Sequence, residues 1–355
     1  MAKQVDSIII GQGLAGSCLA LELRRRGQSF LVVDRQDEHS SSRVAAGLIT
    51  PITGKGMNPS PRQDEFLQVA VPFYRQLENQ VGQTFYHSSE VLRLFSGEKE
   101  FRKFERKLQT QNGYDRWVAG EANSAAGVKA EHGGFAMRDG GWLDTRKFLA
   151  VVSELLAGEN RWLEADFSAD ELDFSADGVS WRDWRAQRVI LCLGAYGLGS
   201  GPFDYIPHRS AKGEILSLRI PLLQGSQRYH RGGWLAAREN GLWKAGASYD
   251  WDQLDSEPTG AGREKVEGIV QSFTDAAYEV VAHEAAVRPI VRCSQPVCGL
   301  HPAHRQLGFF NGLGSKGSLV APLVASQFAE YLATGKPVDD DFDLAKIFPP
   351  ATSES

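Results

Sequence analysis

The chain has 355 residues, is 42% hydrophobic and 23% charged, and carries a net charge of −5 at neutral pH. That length suits two domains rather than one core. The apolar runs are too short to span a bilayer, so no membrane role is expected. The negative balance gives no electrostatic drive toward a phosphate backbone, which argues against nucleic acid as a partner. Cys18, Cys192, Cys293 and Cys298 are too few for a disulfide framework. No signal segment is expected before the first apolar run, and a reducing cytoplasm is the expected setting.

The first 35 residues are the most informative. Ser7–Ile10 reads as a strand, Gly11-Gln-Gly13-Leu-Ala-Gly16 as a glycine turn, Leu14–Arg26 as a helix stopped by Gly27, and Phe30–Asp34 as a second strand. Each part suits a dinucleotide. Gly11 permits the tight turn, Gly13 lets backbone approach a pyrophosphate, and Gly16 lets the helix pack on the sheet. The helix N-terminus offers free N–H groups to the anion. Asp34 ends the second strand at the spacing expected for a carboxylate on a ribose hydroxyl.

Ser40–Ser42 then opens a loop toward Gly47, and Asp64–Val81 fits an amphipathic helix. Val91–Phe95 and Gly134–Met137 read as short strands around a charged helix at Glu98–Gln111. The basic run Lys99–Lys107 inside it is interleaved with glutamates and reads as a solvated face. Asp144–Leu156 reads as a helix with Asp144 as its N-cap. Val189–Leu193 is a continuous apolar run that suits a buried parallel strand far from the first two, so the dinucleotide domain is expected to be discontinuous. Lys212–Leu218, Gly232–Ala237 and Gly241–Tyr249 alternate like antiparallel strands, with a hairpin turn at Glu239–Gly241. Arg263–Ala285 reads as helix, Leu307–Asn311 as a last strand and Ser318–Leu332 as a last helix, with a second glycine-rich turn, Gly312–Gly317, between them. The acidic segment Asp339–Asp343 and the Pro- and Ser-containing C-terminus read as a solvated tail. No histidine spacing suits a metal, and His301 and His304 read as structural.

These pieces, in this order, resemble the flavoprotein amine and amino-acid oxidase family that includes D-amino-acid oxidase, glycine oxidase and monomeric sarcosine oxidase. The resemblance covers nearly the whole chain. It is carried by Gly11-x-Gly13-x-x-Gly16, Asp34-Arg35, Ala46-Gly47, Val189–Gly194 and the segment Arg288–Pro322. In that last segment Arg288-Pro289, Pro296-x-x-Gly299-x-His301-Pro302 and Gly312-x-Gly314-Ser315-Lys316-Gly317 follow the glycine oxidase pattern. The final glycine-rich wording is most similar to the oxidase domain of the bacterial bifunctional enzyme that makes methylaminomethyl-uridine in tRNA.

The resemblance implies an α/β fold: a Rossmann-like, glutathione-reductase-like, discontinuous FAD-binding domain (1–82, 143–207 and 295–355) and a second domain on an antiparallel sheet (83–142 and 208–294). It implies non-covalent FAD, since no cysteine stands close to Arg288 and Cys293 lies further on. It further implies oxidation of a C–N bond in a small amine or amino acid by hydride transfer to flavin N5, with oxygen or another electron acceptor as second substrate. The implied cofactor-binding set is Gly11, Gly13, Leu14, Ala15, Gly16, Asp34, Arg35, Ser42, Arg43, Ala46, Gly47, Leu48, Phe167, Gly194, Gly312, Gly314, Ser315, Lys316, Gly317 and Ser318. Lys316 and the backbone N–H groups beside it would stabilise negative charge on the flavin. Arg288 would clamp a substrate carboxylate, and Lys244 would serve oxygen reduction unless it lies on the outer face of its strand. Tyr249 would line the substrate pocket, whereas Trp142, Tyr229, Trp234 and Trp243 read as packing residues. Three alternatives remain open at this level: a flavoenzyme acting on a modified tRNA base, a 2-hydroxy-acid dehydrogenase on the same scaffold, and a flavin-binding protein with no catalysis.

Overall fold

The computed structural model describes residues 3–199 and 201–349. Its first sheet places Trp162–Glu164, Phe30–Asp34, Lys3–Ile10, Trp184–Leu191 and Leu307–Asn311 side by side, all parallel. An antiparallel ribbon, Leu172–Ser175 with Gly178–Trp181, extends it from the first half of Trp184–Leu191, and Val297–Leu300 pairs with the last strand. Segments from both ends of the chain thus share one sheet.

The pleat sorts the apolar strands onto two faces. Ile9, Val32 and Ile190 pack with the helices Leu14–Arg25, Gln63–Val81, Thr145–Gly158 and Gly317–Thr334. Ile8, Ile10, Leu31, Val33, Val189 and Leu191 pack on the opposite side with Trp181 and Phe309. Burial on both faces explains why these strands read as unbroken apolar runs.

The second sheet runs in the order Glu279–Arg288, Ala211–Arg219, Trp243–Gly246, Gly233–Ala237, Arg228–Arg231, Val91–Leu94, Gly134–Met137, Val118–Glu121. It is antiparallel except where Arg228–Arg231 lies parallel to Val91–Leu94. One face carries Leu216, Leu218, Leu235, Trp243 and Ala245 and is covered by the helix Gly260–Phe273 through Val266, Val270 and Phe273. The other face carries Ile215, Trp234 and Ala286, which meet Val44 from the first part of the molecule.

The structure corrects three local expectations. The stretch Arg263–Ala285 is not one helix. The helix spans Gly260–Phe273, capped at its start by the Thr259 hydroxyl, and Thr274 turns extended. The chain then forms the strand Glu279–Arg288, which is held along its length by Ala211–Arg219; cross-strand pairing overrides helical propensity there. Asp339–Asp343 is not a solvated tail, because Phe342 and Leu344 are fully buried. Asp343 caps the short helix Leu344–Ile347, and Arg62 pairs with Asp339 and Asp341. Ser41–Val44 is a short helix rather than loop. Residues 350–355 of the expected tail lie outside the described residues.

Candidate functional site

Between the two sheets lies a cavity of about 1190 Å³, larger than the roughly 300–1,000 Å³ of ordinary small-molecule pockets. One end lies over the glycine turn. Gly11 takes a φ of +98°, and a Cβ there would lie 2.6 Å from the Cys192 carbonyl oxygen. A Cβ on Gly16 would lie 1.9 Å from the Gly11 carbonyl oxygen, so only glycine lets helix and turn approach this closely. Gly13 faces Ser42, whose hydroxyl accepts from the Leu14 N–H at 3.1 Å. The Gly13 and Ala15 N–H groups have no acceptor among the described residues and border the cavity. Asp34 is held in place by the N–H groups of Gln12 at 2.6 Å and Gln36 at 2.7 Å. Beside it Arg35 stacks on Tyr196, 4.3 Å from the ring centre. These features fit a dinucleotide: bare backbone donors for a pyrophosphate at a helix start, and a fixed carboxylate for a ribose.

The cavity continues past Arg43, Ala46, Gly47 and Leu48 to the second glycine turn, where Gly314, Ser315, Lys316, Gly317 and Ser318 line it. The N–H groups of Ser315, Gly317 and Ser318 find no acceptor among the described residues. They open the helix Gly317–Thr334, whose start carries partial positive charge. Phe167 and Gly194 also line the cavity. Lys316 reaches it too, but its amine donates to the Ser60 hydroxyl at 2.7 Å, and burial lowers its pKa. Gly16 and Gly312 stay out of the lining. Gly16 serves the packing just described, and Gly312 is a turn residue at φ +80° wedged against Val291.

The antiparallel sheet supplies the opposite wall. Arg288 ends its strand and lays its guanidinium over Gly213, where a Cβ would sit 2.1 Å from a terminal nitrogen. The guanidinium lies 4.3 Å from the centre of the Tyr249 ring. Its polar contacts are long ones to carbonyl oxygens, 3.5 Å to Lys212 and 3.4 Å to Ser248. No carboxylate pairs with it among the described residues, and burial lowers its pKa. A half-buried arginine with its fork unclaimed is suited to a carboxylate.

Lys244 is placed differently. It shares the sheet face of Trp234 but does not line the cavity; its amine pairs with Glu284 at 3.2 Å. Glu284 also binds Arg146 at 2.7 Å. Of the aromatics, Trp243 and Tyr229 are core, and Trp142 is stacked on His87 beneath Arg228 and Arg238. Trp234 lines the cavity beside Ile215. Sequence reasoning also missed Gln12, Tyr196, Gly213, Arg93 and His230 in the lining. Only Gly213, a glycine inside an apolar alternating strand, left a readable signal.

The fold and cradle define an FAD-dependent oxidoreductase, and comparison with known proteins agrees. The DAO family model, described as FAD dependent oxidoreductase, matches residues 6–331, and the chain belongs to that family. Among relatives, the tRNA 5-methylaminomethyl-2-thiouridine biosynthesis bifunctional protein MnmC of Marinobacter nauticus is 25% identical over 92% of this chain and 54% of its own. The same-named protein of Shewanella amazonensis is 24% identical over 95% of this chain and 58% of its own. The chain therefore spans a little over half the length of these relatives. Two solved structures share the fold at a TM-score of 0.77: glycine oxidase from Geobacillus kaustophilus (18% identity, 97% of both chains) and iminodiacetate oxidase from Chelativorans sp. (19% identity, 94% of this chain and 96% of the other). No helix among the described residues is long and apolar enough to cross a membrane.

Proposed function

We propose that the protein oxidises the C–N bond of a small amine or amino acid that carries a carboxylate. The observation that carries this reading is Arg288, half-buried, bordering the cavity and unmatched by any acid among the described residues. Its two terminal nitrogens can receive both carboxylate oxygens, and Gly213 keeps the space beneath the fork clear. The Tyr249 ring holds the guanidinium plane. With the carboxylate held at that wall, the amine end is oriented toward the side lined by Ala46–Leu48 and Gly314–Lys316. The free N–H groups of Ser315, Gly317 and Ser318 favour negative charge developing on that side. When bound, FAD supplies the two-electron acceptor, with oxygen or another oxidant as the final sink. The imine product hydrolyses in water. The names of the glycine oxidase and iminodiacetate oxidase neighbours are in keeping with such substrates.

Non-covalent binding of FAD is part of the reading. Cys293 is exposed and absent from the lining, while burial pushes the Cys192 thiol up and leaves it a poor nucleophile. Four free cysteines support a reducing, cytoplasmic setting. We assign 1–82, 143–207 and 295–355 to the cofactor domain and the remainder to the substrate domain. The test is anaerobic mixing of the yellow protein with amines and amino acids. Bleaching of the flavin by carboxylate-bearing amines is expected; bleaching by 2-hydroxy acids alone would overturn the reading.

A second reading, action on a modified tRNA base, has one observation in its favour besides the MnmC relatives. At the cavity mouth Tyr249 and Trp251, 45% and 50% exposed, stack with centres 5.8 Å apart, and Arg209 lies over Trp251. Exposed aromatics beside arginine are a platform for unpaired bases. Tight, salt-dependent tRNA binding would support this reading.

A further inference from the structure

The cavity does not end at Arg288. Beyond Trp234 it extends to a chamber lined by Arg93, Glu100, His230 and Lys55. Arg93 and His230 are cross-strand neighbours where Val91–Leu94 meets Arg228–Arg231. Gly232, where an added Cβ would meet nothing within 4 Å, leaves the adjoining wall without a side chain. The Arg93 side chain is 3% exposed. One terminal nitrogen donates to Glu100, whose other oxygen accepts from the Ser96 N–H at 2.8 Å. This pair fixes the guanidinium and uses one of its edges only. Nε and the other terminal nitrogen of Arg93 have no partner, and neither has Nδ1 of His230. Burial and the nearby Arg93 push the His230 pKa down to about 4, so its ring is neutral near pH 7. Lys55 stands exposed at the rim. Buried polar groups left unmatched beside a cavity are costly unless a ligand or water meets them.

We propose that this chamber is a second anion subsite, and that the substrate is an amine with two acidic groups: a carboxylate on Arg288 and a distal carboxylate or phosphate on Arg93 and His230. The proposal rests on the amine-oxidase reading above and narrows its substrate class. Three strand steps separate the strand beneath the Arg288 fork from that of His230, roughly 14 Å across the sheet at normal spacing. The two acidic groups are therefore joined by a spacer of several bonds. Trp234 lies between them and packs against the spacer. Lys55 at the rim attracts the distal group, and the free edge of Arg93 receives it.

The test uses the FAD-loaded protein and N-carboxymethyl amines of increasing chain length, each ending in a carboxylate, a phosphate or a neutral amide. At the fitting length, KM for an acid-ended compound should fall at least about tenfold below that for its amide, as a charge-assisted contact requires. The preferred acid distinguishes a carboxylate from a phosphate tail. Arg93→Gln should abolish the difference between acid and amide. Should that variant fail to fold, Lys55→Gln should shrink the difference, and the substrate series decides without any substitution. Equal KM values for acids and amides, with the flavin still bleached by the amines, would overturn this proposal alone and leave water as the occupant. Failure of every amine to bleach the flavin would overturn both readings.

Discussion

At the dinucleotide turn, a methyl group added to Gly16 would sit 1.9 Å from a backbone oxygen. Across the cavity, a methyl added to Gly213 would sit 2.1 Å from a terminal nitrogen of Arg288. The two clashes are alike in size and unlike in kind. The first is with main chain held by a parallel sheet and cannot be relieved without moving a helix. The second is with the end of a flexible side chain, which can swing aside. The cofactor half is thus specified by backbone proximity, and the substrate half by where side chains lie on an open sheet face.

The largest effect is expected at the backbone site. Gly16→Ala should abolish retention of FAD and lower stability by about 3 kcal/mol, near the upper range for overpacking. The yellow colour per mole of protein and a thermal melt measure both. The control is Gly27→Ala: its φ is +70° but nothing lies within 4 Å, so a modest loss of stability with full flavin content is expected.

On the substrate side, Arg288→Ala should leave flavin content intact and raise KM for carboxylate substrates by about a hundredfold or more, the usual cost of truncating a buried charged pair. Unchanged KM would remove Arg288 from substrate binding. Gly213→Ala should do the same more weakly, by about tenfold, because the displaced fork loses its geometry and not its charge.

The two halves should also differ in acid. His230 titrates near 4 in the folded protein and near its ordinary 6.5 when unfolded. Between those values the unfolded chain binds the extra proton, so stability falls as pH drops from 6.5 toward 4 and levels off below. The loss amounts to about 3 kcal/mol at most. His230→Asn should flatten that part of the stability–pH curve; an unaltered slope would show that the ring is not buried neutral.

The same contrast decides what could be read in advance. The cradle was legible because Gly11, Gly13, Gly16 and Asp34 are close in sequence, and the surrounding backbone leaves room only for glycine at Gly11 and Gly16. The second glycine turn was legible for the same reason. Arg288 and Lys244 were found through a family pattern and Tyr249 through its place near Lys244 in the sequence, whereas Gly213 only marks the space under Arg288 once two strands are paired. Arg93 and His230 lie far apart in sequence and meet in the one parallel pair of an otherwise antiparallel sheet. No local period announces that register. The first part of the strand, Glu279–Ala285, reads as helix because its alanines and glutamates favour helix locally, whereas its partner strand decides.

Lys244 sharpens the comparison last, because the smallest effect is expected there. It lies on the cavity side of the sheet, yet its amine is turned into the Glu284–Arg146 cluster and away from the lining. Burial lowers its pKa, partly offset by Glu284. Removing it leaves Glu284 still paired with Arg146, so Lys244→Met should leave melting temperature near the parent value. If the family pattern decides its role, reoxidation of the flavin by oxygen should slow sharply. If its position decides, as the cavity lining argues, the reoxidation rate should stay unchanged. Stopped-flow mixing of the reduced variant with oxygen separates the two, because the bleached flavin regains its colour at a rate that does not depend on how tightly Arg288 holds the substrate.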